Sequence, residues 1–432
     1  MPASDFLDIH NPQISLDTTG RKIMAHCGLT ARDVSMLLSA PDVFPPPLAF
    51  GTTNNGIMVD SGTTNTTSWM DVAIETCWLV SYLTNGDSMA VDFLCDDKGQ
   101  DTKKSSVVIS MLVSRLVHAT DAASRQLNIA ASNNAGVQED VMGCLIPCCR
   151  ALKNMAIACD GRYVNSILLA TMHIGNNPTT ATATAIRPAE ASLAMLISLG
   201  TLGAGSEVAT IASEAASLAG ACLYDAGLPL PHPATSACRT LLPALCQALV
   251  SPLCTFEFRR EVAWAVWTAV DFPSELRNPM GAMAGEMMQN ELLLEIIRTP
   301  PEGAMARALT TMLSSLDSDV LEASVSLINL LLRRLENNDV MSSDVGFGGK
   351  KRISILFEEA GSVDALWRIC DHDVDESETA ELAAEILDDF YEQDEDDEGD
   401  ASMLQPALAG GQFQFQPPSS QGFPEGGFNF GQ

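Results

Sequence analysis

The sequence predicts an all-α protein folded as a solenoid, and three observations lead to this prediction. Apolar residues recur at the i, i+3, i+4, i+7 spacing of a helix in segments rich in Ala, Leu, Met and Glu along most of the 432 residues. Segments with strand-like alternation are scarce. The helical segments fall in irregular groups of about 40 to 70 residues, which is typical of arrays whose units pack only on their neighbours.

The periodicity predicts a succession of helices joined by surface loops. The predicted helices include Ala73–Leu83, Ser106–Val117, Val141–Met155, Ala191–Leu202, Arg239–Val250, Arg260–Val270, Ala304–Ser315, Val320–Leu335 and Thr379–Tyr391. Clusters of Gly, Asn, Thr and Pro predict loops at Gly51–Thr67, Ala131–Gly136, Asn176–Ala185, Leu228–Ala234 and Asn337–Gly349.

The composition excludes several classes of protein. Apolar residues make up 46% of the chain, which is too many for a mostly disordered protein. The 24 Lys and Arg residues against 55 Asp and Glu residues give a net charge of −31, which argues against direct binding to nucleic acid or to an anionic membrane. We find no secretory signal and no uninterrupted apolar run long enough to span a membrane, and we therefore expect a soluble, intracellular protein.

The sequence offers no recognisable catalytic or metal-binding motif. The six histidines are scattered, and no glycine-rich phosphate loop occurs. The cluster of Cys144, Cys148 and Cys149 could suggest a metal site, but it has no C-x-x-C pair and no nearby histidine. We expect these thiols to lie in the core, and we predict neither an enzyme nor a bound cofactor or metal.

The composition divides the chain into three parts. Sixteen residues between 371 and 400 are Asp or Glu and none is Lys or Arg, and a tail rich in Gly, Pro, Gln and Phe follows. From about Gln393 the run is too charged to pack, so we expect residues 393–432 to be a disordered tail. The helical array is predicted for residues 71–392, and residues 1–70 are expected to be irregular.

Polar and aromatic residues recur at matching positions in otherwise apolar helices. They are Glu75, Trp78, Tyr82, Arg150, Asn154, Glu261, Trp264, Thr268 and Asn329. In a solenoid such positions line one groove, where indole faces hold Lys or Arg side chains and Asn amides bond an extended peptide backbone. The pattern therefore suggests a groove for an extended basic peptide. The alternative is that the tryptophans belong to the core and the Asn side chains satisfy local backbone.

Several of these segments, in order, resemble importin-α, the armadillo-repeat adaptor of nuclear import. The resemblance is carried by Ile74–Gly86, Leu145–Asn154, Phe256–Thr268, Val320–Leu335 and Ile355–Tyr391, together with the acidic run and the final G-G-F-N-F. It implies a right-handed α-solenoid of armadillo repeats, approximately the fourth to the tenth, with loop insertions and a concave groove for nuclear-localisation peptides.

The chain also departs from the family pattern. Ser217 and Ala221 stand where the family has a tryptophan and an asparagine, and Thr268 replaces a further asparagine. Residues 1–71 resemble neither the family's basic importin-β-binding segment nor its first repeats. These departures support a second hypothesis, a truncated or degenerate importin-α-like scaffold for protein–protein interaction without cargo transport.

The resemblance assigns roles to individual residues. Glu75, Trp78, Tyr82 and Arg150 would form the edge of the major cargo site, Asn154, Glu214, Glu261, Trp264 and Thr268 would form the minor site, and Asn329 would extend the groove. It also implies basic cargo peptides, importin-β and the export receptor that recycles importin-α as partners. The family's location would be the cytoplasm and the nucleus.

Overall fold

The structure is a computed structural model. It describes residues 34, 37, 38, 69–86, 88–95, 106–133, 142–170, 188–203, 205–223, 233–270, 292–336, 352–372, 377–391, 408–409 and 412–413. The helices in the first half of the chain are α1 (Trp69–Thr84), α2 (Ser88–Cys95), α3 (Val107–Asn133), α4 (Leu145–Ile157), α5 (Val164–Leu168), α6 (Pro188–Gly200) and α7 (Gly205–Leu223). A 3₁₀ turn, Ala158–Gly161, follows α4.

The second half continues the array. Its helices are α8 (Pro233–Val250), α9 (Phe256–Val270), α10 (Ala304–Met312), α11 (Ser318–Glu336), α12 (Arg352–Glu359), α13 (Ser362–His372) and α14 (Glu378–Phe390), with a further helical segment over residues 292–297. Two short strands, β1 (Leu408–Ala409) and β2 (Gln412–Phe413), pair antiparallel within the tail predicted to be disordered.

The helices form two parallel series in which each member packs on the next. We call α1, α4, α7, α9, α11 and α14 the ladder helices, because each contacts the following one in that order. Helices α3, α6, α8 and α10 form a second series in the same way. The two series are joined by consecutive pairs, α3 with α4, α6 with α7, α8 with α9 and α10 with α11. This stepwise packing is that of a solenoid, and it confirms the predicted fold class.

Small residues allow the ladder helices to approach one another closely. A Cβ atom added at Gly220 of α7 would lie 3.2 Å from the Cα atom of Ala265 in α9. At Gly200, the last residue of α6, an added Cβ atom would lie 2.5 Å from Cβ of Ala212 and 2.6 Å from Cε1 of Phe258. Phe258 is completely buried, so α6, α7 and α9 meet at a point where only glycine fits.

The buried apolar side chains form one continuous core along the array. It begins with Val34 and Leu38, two buried residues of the N-terminal region predicted to be irregular. Both are helical, and the Leu38 carbonyl accepts a hydrogen bond of 2.9 Å from Nε of Arg115 in α3. The spacing of Val34, Leu37 and Leu38 is that of a helical face, so part of this region belongs to the array.

Helix α3 is longer than the sequence predicted. It runs to Asn133 and so takes in the first residues of the predicted loop Ala131–Gly136, which is wrong at those positions. The predicted loop Leu228–Ala234 is likewise wrong at its last two positions, since α8 begins at Pro233, and its earlier residues lie outside the described ones. The predicted loops 51–67, 176–185 and 337–349 also lie outside the described residues. Within the described part of the chain, one stretch, Val107–Arg125, has a length and composition that could cross a membrane. Half of it is buried, and α3 packs against α4 and α6 as a core helix does.

Candidate peptide-binding surface

All ten residues predicted for the peptide groove lie on ladder helices. Glu75, Trp78 and Tyr82 are in α1, Arg150 and Asn154 in α4, Glu214 in α7, Glu261, Trp264 and Thr268 in α9, and Asn329 in α11. None of the ten is fully buried, although fully buried apolar residues surround them in the same helices. We call these side chains the ladder surface. Consecutive packing of the ladder helices places them along one series.

The ladder surface begins with an aromatic pair. The rings of Trp78 and Tyr82 are stacked, with centroids 5.8 Å apart and planes inclined by 25°. The Tyr82 side chain is 62% exposed. The central guanidinium carbon of Arg150 lies 5.6 Å from the centroid of the Trp78 ring, within the range of a cation–π contact. The Trp78 indole therefore accepts a guanidinium from the protein itself.

Arg150 also bonds to the next ladder helix. Its Nε and Nη2 atoms lie 2.7 and 2.6 Å from Oε1 of Glu214. Because Arg150 is in α4, its guanidinium links Trp78 of α1 to Glu214 of α7. The Glu214 carboxylate is thus already paired with an internal cation.

Asn154 connects α4 to α1. Its Nδ2 atom donates to the carbonyl of Ser81 at 3.1 Å and to Oγ1 of Thr84 at 3.3 Å. Asn329 differs, since its Oδ1 atom accepts a hydrogen bond of 2.7 Å from Nε of Arg333 in the same helix. The Asn154 N–H groups that sequence analysis assigned to a peptide backbone therefore have partners on a neighbouring helix.

A second aromatic group lies on α9. The rings of Trp264 and Trp267 meet edge to face with centroids 5.9 Å apart. The Thr268 hydroxyl lies within donating distance of two carbonyls of its own helix, those of Trp264 and Ala265, each at 3.0 Å. It also lies 3.4 Å from the Gly220 carbonyl in α7, so a threonine at this position contacts the preceding ladder helix.

Sequence analysis missed a set of arginine–carboxylate pairs between successive ladder helices. The pair of Arg150 and Glu214 is one of them. In another, Nη1 of Arg260 in α9 lies 3.4 Å from Oδ2 of Asp319 in α11, while Nη2 of the same arginine lies 2.8 Å from Oε1 of its neighbour Glu261. In the third, Nη2 of Arg333 in α11 lies 3.0 Å from Oε2 of Glu385 and 3.0 Å from Oδ2 of Asp389, both in α14. A usable signal was present, because each arginine stands four residues from a predicted groove residue and so shares its helix face.

The aromatic series is interrupted at α7. Ser217 and Ala221, which stand at the family's Trp and Asn positions, are partly exposed members of this ladder helix. Neither side chain has an aromatic face for a cation or the amide with which an asparagine bonds both groups of a peptide unit. The two aromatic groups of the ladder surface, on α1 and α9, are therefore separated by α4 and α7, which have no aromatic residue.

The cysteine cluster lies in the core. Cys144, Cys148 and Cys149 are almost completely buried, and the Cys148 sulfur lies 3.5 Å from that of Cys77. Hydrogen bonds to Cys144 and Cys77, together with burial, raise the pKa of Cys148. Burial likewise raises the pKa of Cys222 to about 12, so these groups are neutral thiols at pH 7. Among the described residues, no group of three His, Cys, Asp or Glu side chains could hold a metal ion.

Comparison with known proteins gives only distant structural likeness. No family profile matches the sequence, and no curated protein matches it significantly. A designed armadillo repeat protein has a TM-score of 0.44 and 14% identity, with 82% of this chain and 97% of that one covered. A designed armadillo repeat protein in complex with the peptide (KR)4 has a TM-score of 0.43, 14% identity and the same coverage. At this distance the likeness assigns no function, and the solenoid is evident from the packing of the helices themselves.

Proposed function

We propose that the chain is a non-enzymatic adaptor that binds extended basic peptides along the ladder surface. One observation carries the proposal: the residues predicted for a peptide groove all lie on the ladder helices and all keep some exposure. A groove-binding ligand needs such a succession of accessible side chains on neighbouring helices. Side chains of the same types in an apolar core would instead be fully buried.

The chemistry of the ladder surface suits Lys and Arg side chains. The contact between Arg150 and Trp78 supports this, because a guanidinium within the chain already occupies the indole face. Each such contact contributes about 0.5–2 kcal/mol, depending on how far it is removed from water. Tyr82 and the exposed Glu75 lie on the same face of α1, so a second cation can approach them from solvent.

The finer assignment is a nuclear import adaptor that carries proteins with basic localisation signals between cytoplasm and nucleus. It rests on the resemblance of the ordered segments to importin-α. In this proposal importin-β and the export receptor for importin-α are partners, and cargo peptides contact the aromatic groups on α1 and α9.

A second candidate function is a scaffold without cargo transport. The arginine–carboxylate pairs favour it, since Glu214, Glu261 and Asp319 already have internal cations. A ligand arginine must displace an internal one before it can use these carboxylates. The small residues on α7 also leave a gap in the aromatic series. Peptide affinity decides between the two candidates.

Fluorescence anisotropy of a labelled Lys/Arg-rich localisation peptide, at low and moderate salt, tests the proposal. We expect saturable binding that is weakened about fivefold by Trp78→Ala or by Trp264→Ala, since each removes about 1 kcal/mol of cation–π attraction. Trp367→Ala is the matched control, because Trp367 is 44% exposed and lies on α13, outside the ladder. Binding that ignores all three substitutions and disappears at moderate salt would indicate nonspecific attraction by the acidic surface, and would favour the scaffold.

A further inference from the structure

A pocket of about 600 Å³ lies where the end of α8, the start of α9 and the start of α10 meet. No residue of the ladder surface is among the described residues that line it. Its walls combine apolar groups, such as Phe256 and Ala304, with the hydroxyls of Thr255 and Thr311 and two arginines, Arg259 and Arg307. The pocket is therefore separate from the proposed peptide site and has a different chemical character.

The charge of the pocket is opposite to that of the chain. The chain carries a net charge of −31, yet no Asp or Glu is among the described residues lining the pocket. Two guanidinium groups in an otherwise apolar and hydroxyl-bearing cavity create a local positive potential. Such a site attracts anions even on an acidic protein.

Arg259 is held in an unusual environment for a cation. It is only 6% exposed, and its Nη2 atom donates to the Ser251 carbonyl at 2.6 Å. Its Nε–H is buried and has no hydrogen-bond acceptor among the described residues. Burial lowers the pKa of Arg259, but a guanidinium keeps its charge at neutral pH. A buried guanidinium with an unused donor is stabilised by an anion that enters beside it.

The start of α10 adds a second source of positive potential. This nine-residue helix begins after Gly303, which has a φ of 69° and makes no side-chain cap, and its first turn carries no acidic residue. Ala304, in that first turn, lines the pocket. The Ala304 N–H donates to the Pro301 carbonyl at 2.9 Å, so the start of α10 contributes the positive end of the helix dipole, which favours an anion at this position. By contrast, the start of α9 is capped, since Thr255 Oγ1 accepts from the Phe258 N–H at 3.3 Å.

Arg307 completes the site from the solvent side. Its Nη2 atom donates to the Glu302 carbonyl at 2.9 Å, which leaves other guanidinium donors for a ligand. Arg307 is exposed, whereas Arg259 lies at the buried wall, so the two can approach an anion from different sides. Arginine donors match the oxygens of a phosphate or a carboxylate in pairs.

We infer that this pocket binds a phosphate monoester with a small apolar group, the phosphate lying between Arg259, Arg307 and the start of α10. The apolar part of the ligand would contact Phe256 and the neighbouring apolar wall. A phosphate is preferred to a carboxylate because it carries more negative charge and offers more acceptor oxygens to the two arginines.

Isothermal titration of the full chain with phenyl phosphate tests the inference, with inorganic phosphate, benzoate and phenol titrated in parallel. We expect phenyl phosphate to bind most tightly, inorganic phosphate and benzoate more weakly, and phenol not measurably. Equal binding of phenol and phenyl phosphate would reveal an apolar cavity only and would overturn the inference. So would the absence of heat from phenyl phosphate, while tighter binding of benzoate would contradict the preference for phosphate.

Two matched variants locate the binding. Arg307→Gln removes an exposed guanidinium without disturbing the core, and we expect about a tenfold loss of phenyl phosphate affinity, as for one charge-assisted hydrogen bond. Arg298→Gln makes the same change of charge at an exposed residue that does not line the pocket, and should leave the affinity unchanged. Equal losses in both variants would mean a general charge effect and contradict the site.

The Trp264→Ala variant should bind phenyl phosphate normally, which separates this inference from the peptide proposal.

Discussion

At the scale of single residues, arginines determine how the ladder surface can act. Arg150 contacts both the Trp78 ring and the Glu214 carboxylate, so a peptide cation that stacks on Trp78 competes with a group tethered beside it. The Glu214 side chain is only 16% exposed, which makes its pairing with Arg150 stronger than that of a fully exposed ion pair. The internal arginine thus limits the affinity of the site and also keeps the indole face ordered.

Glu322 gives a pH-dependent prediction at the residue scale. Burial, followed by the like charges of Asp319 and Glu378, raises the pKa of its carboxyl group. A raised pKa means that the folded state holds the proton to higher pH than the unfolded state, so the ionised carboxylate opposes folding at neutral pH. We expect Glu322→Gln to raise the free energy of unfolding at pH 7, by a few tenths of a kcal/mol after screening by water.

Urea unfolding at several pH values checks this prediction. The difference between Glu322→Gln and the unmodified chain should shrink as the pH falls and disappear well below the ordinary Glu pKa of about 4.3, where the carboxyl group is protonated in both states. Glu359→Gln, at an exposed residue of α12, is the control. A stabilisation by Glu322→Gln that persists unchanged in acid would show that the carboxylate charge is not its cause.

At the scale of elements, Asn154 holds two ladder helices in register. Its amide bonds to Ser81 and Thr84 across the contact between α4 and α1. We expect Asn154→Ala to lower the free energy of unfolding by about 1 kcal/mol, the net value of such hydrogen bonds. Urea unfolding followed by circular dichroism measures the change. Asn329→Ala, whose side chain bonds to Arg333 of its own helix, should cost less, and an equal or larger loss there would contradict this role for Asn154.

The elements also show what a single sequence can predict. The helical periodicity located α1, α4, α9 and α11, and the spacing of residues such as Trp78 and Tyr82 placed them on one face of a helix. Pairs such as Arg260 with Asp319 were missed because these residues are 59 positions apart and meet only through the register of packed helices. The same limit applies to Asn154, whose partners on α1 depend on how deeply α4 docks against that helix.

The pocket beside α10 was also outside the reach of sequence analysis. Arg259 and Arg307 belong to different helices, and neither lies in a recognisable anion-binding motif. Arg259 follows the periodicity of a buried position, and a charged residue at such a position is the one signal that could have marked it.

At the scale of the whole molecule, the stepwise packing predicts that damage at one end stays local. Ile386 of α14 is completely buried, and its replacement by Ala should cost about 2–5 kcal/mol. Because each helix packs only on its neighbours, we expect amide hydrogen exchange to accelerate in α13, α14 and α11 and to stay unchanged in α1 and α4.

A matching substitution in the first half of the array tests whether the damage stays local there as well. Leu152→Ala, at a completely buried position of α4, should accelerate exchange in α4 and in its neighbours α1, α3 and α7, and leave α14 unchanged. Faster exchange throughout the chain in either variant would mean that the array unfolds as a single cooperative unit. That result would contradict the nearest-neighbour description of its stability.

The central claim is that the ladder surface is the peptide-binding face, and hydrogen exchange with and without a saturating Lys/Arg-rich peptide tests it most directly. We predict slower exchange in α1, α4 and α9, which carry the aromatic groups and Arg150, and unchanged exchange in α3, α6 and α8 of the second series. Slower exchange confined to α14 and the acidic residues around it, with none in α1 or α9, would contradict the claim, because the peptide would then be held by net charge alone.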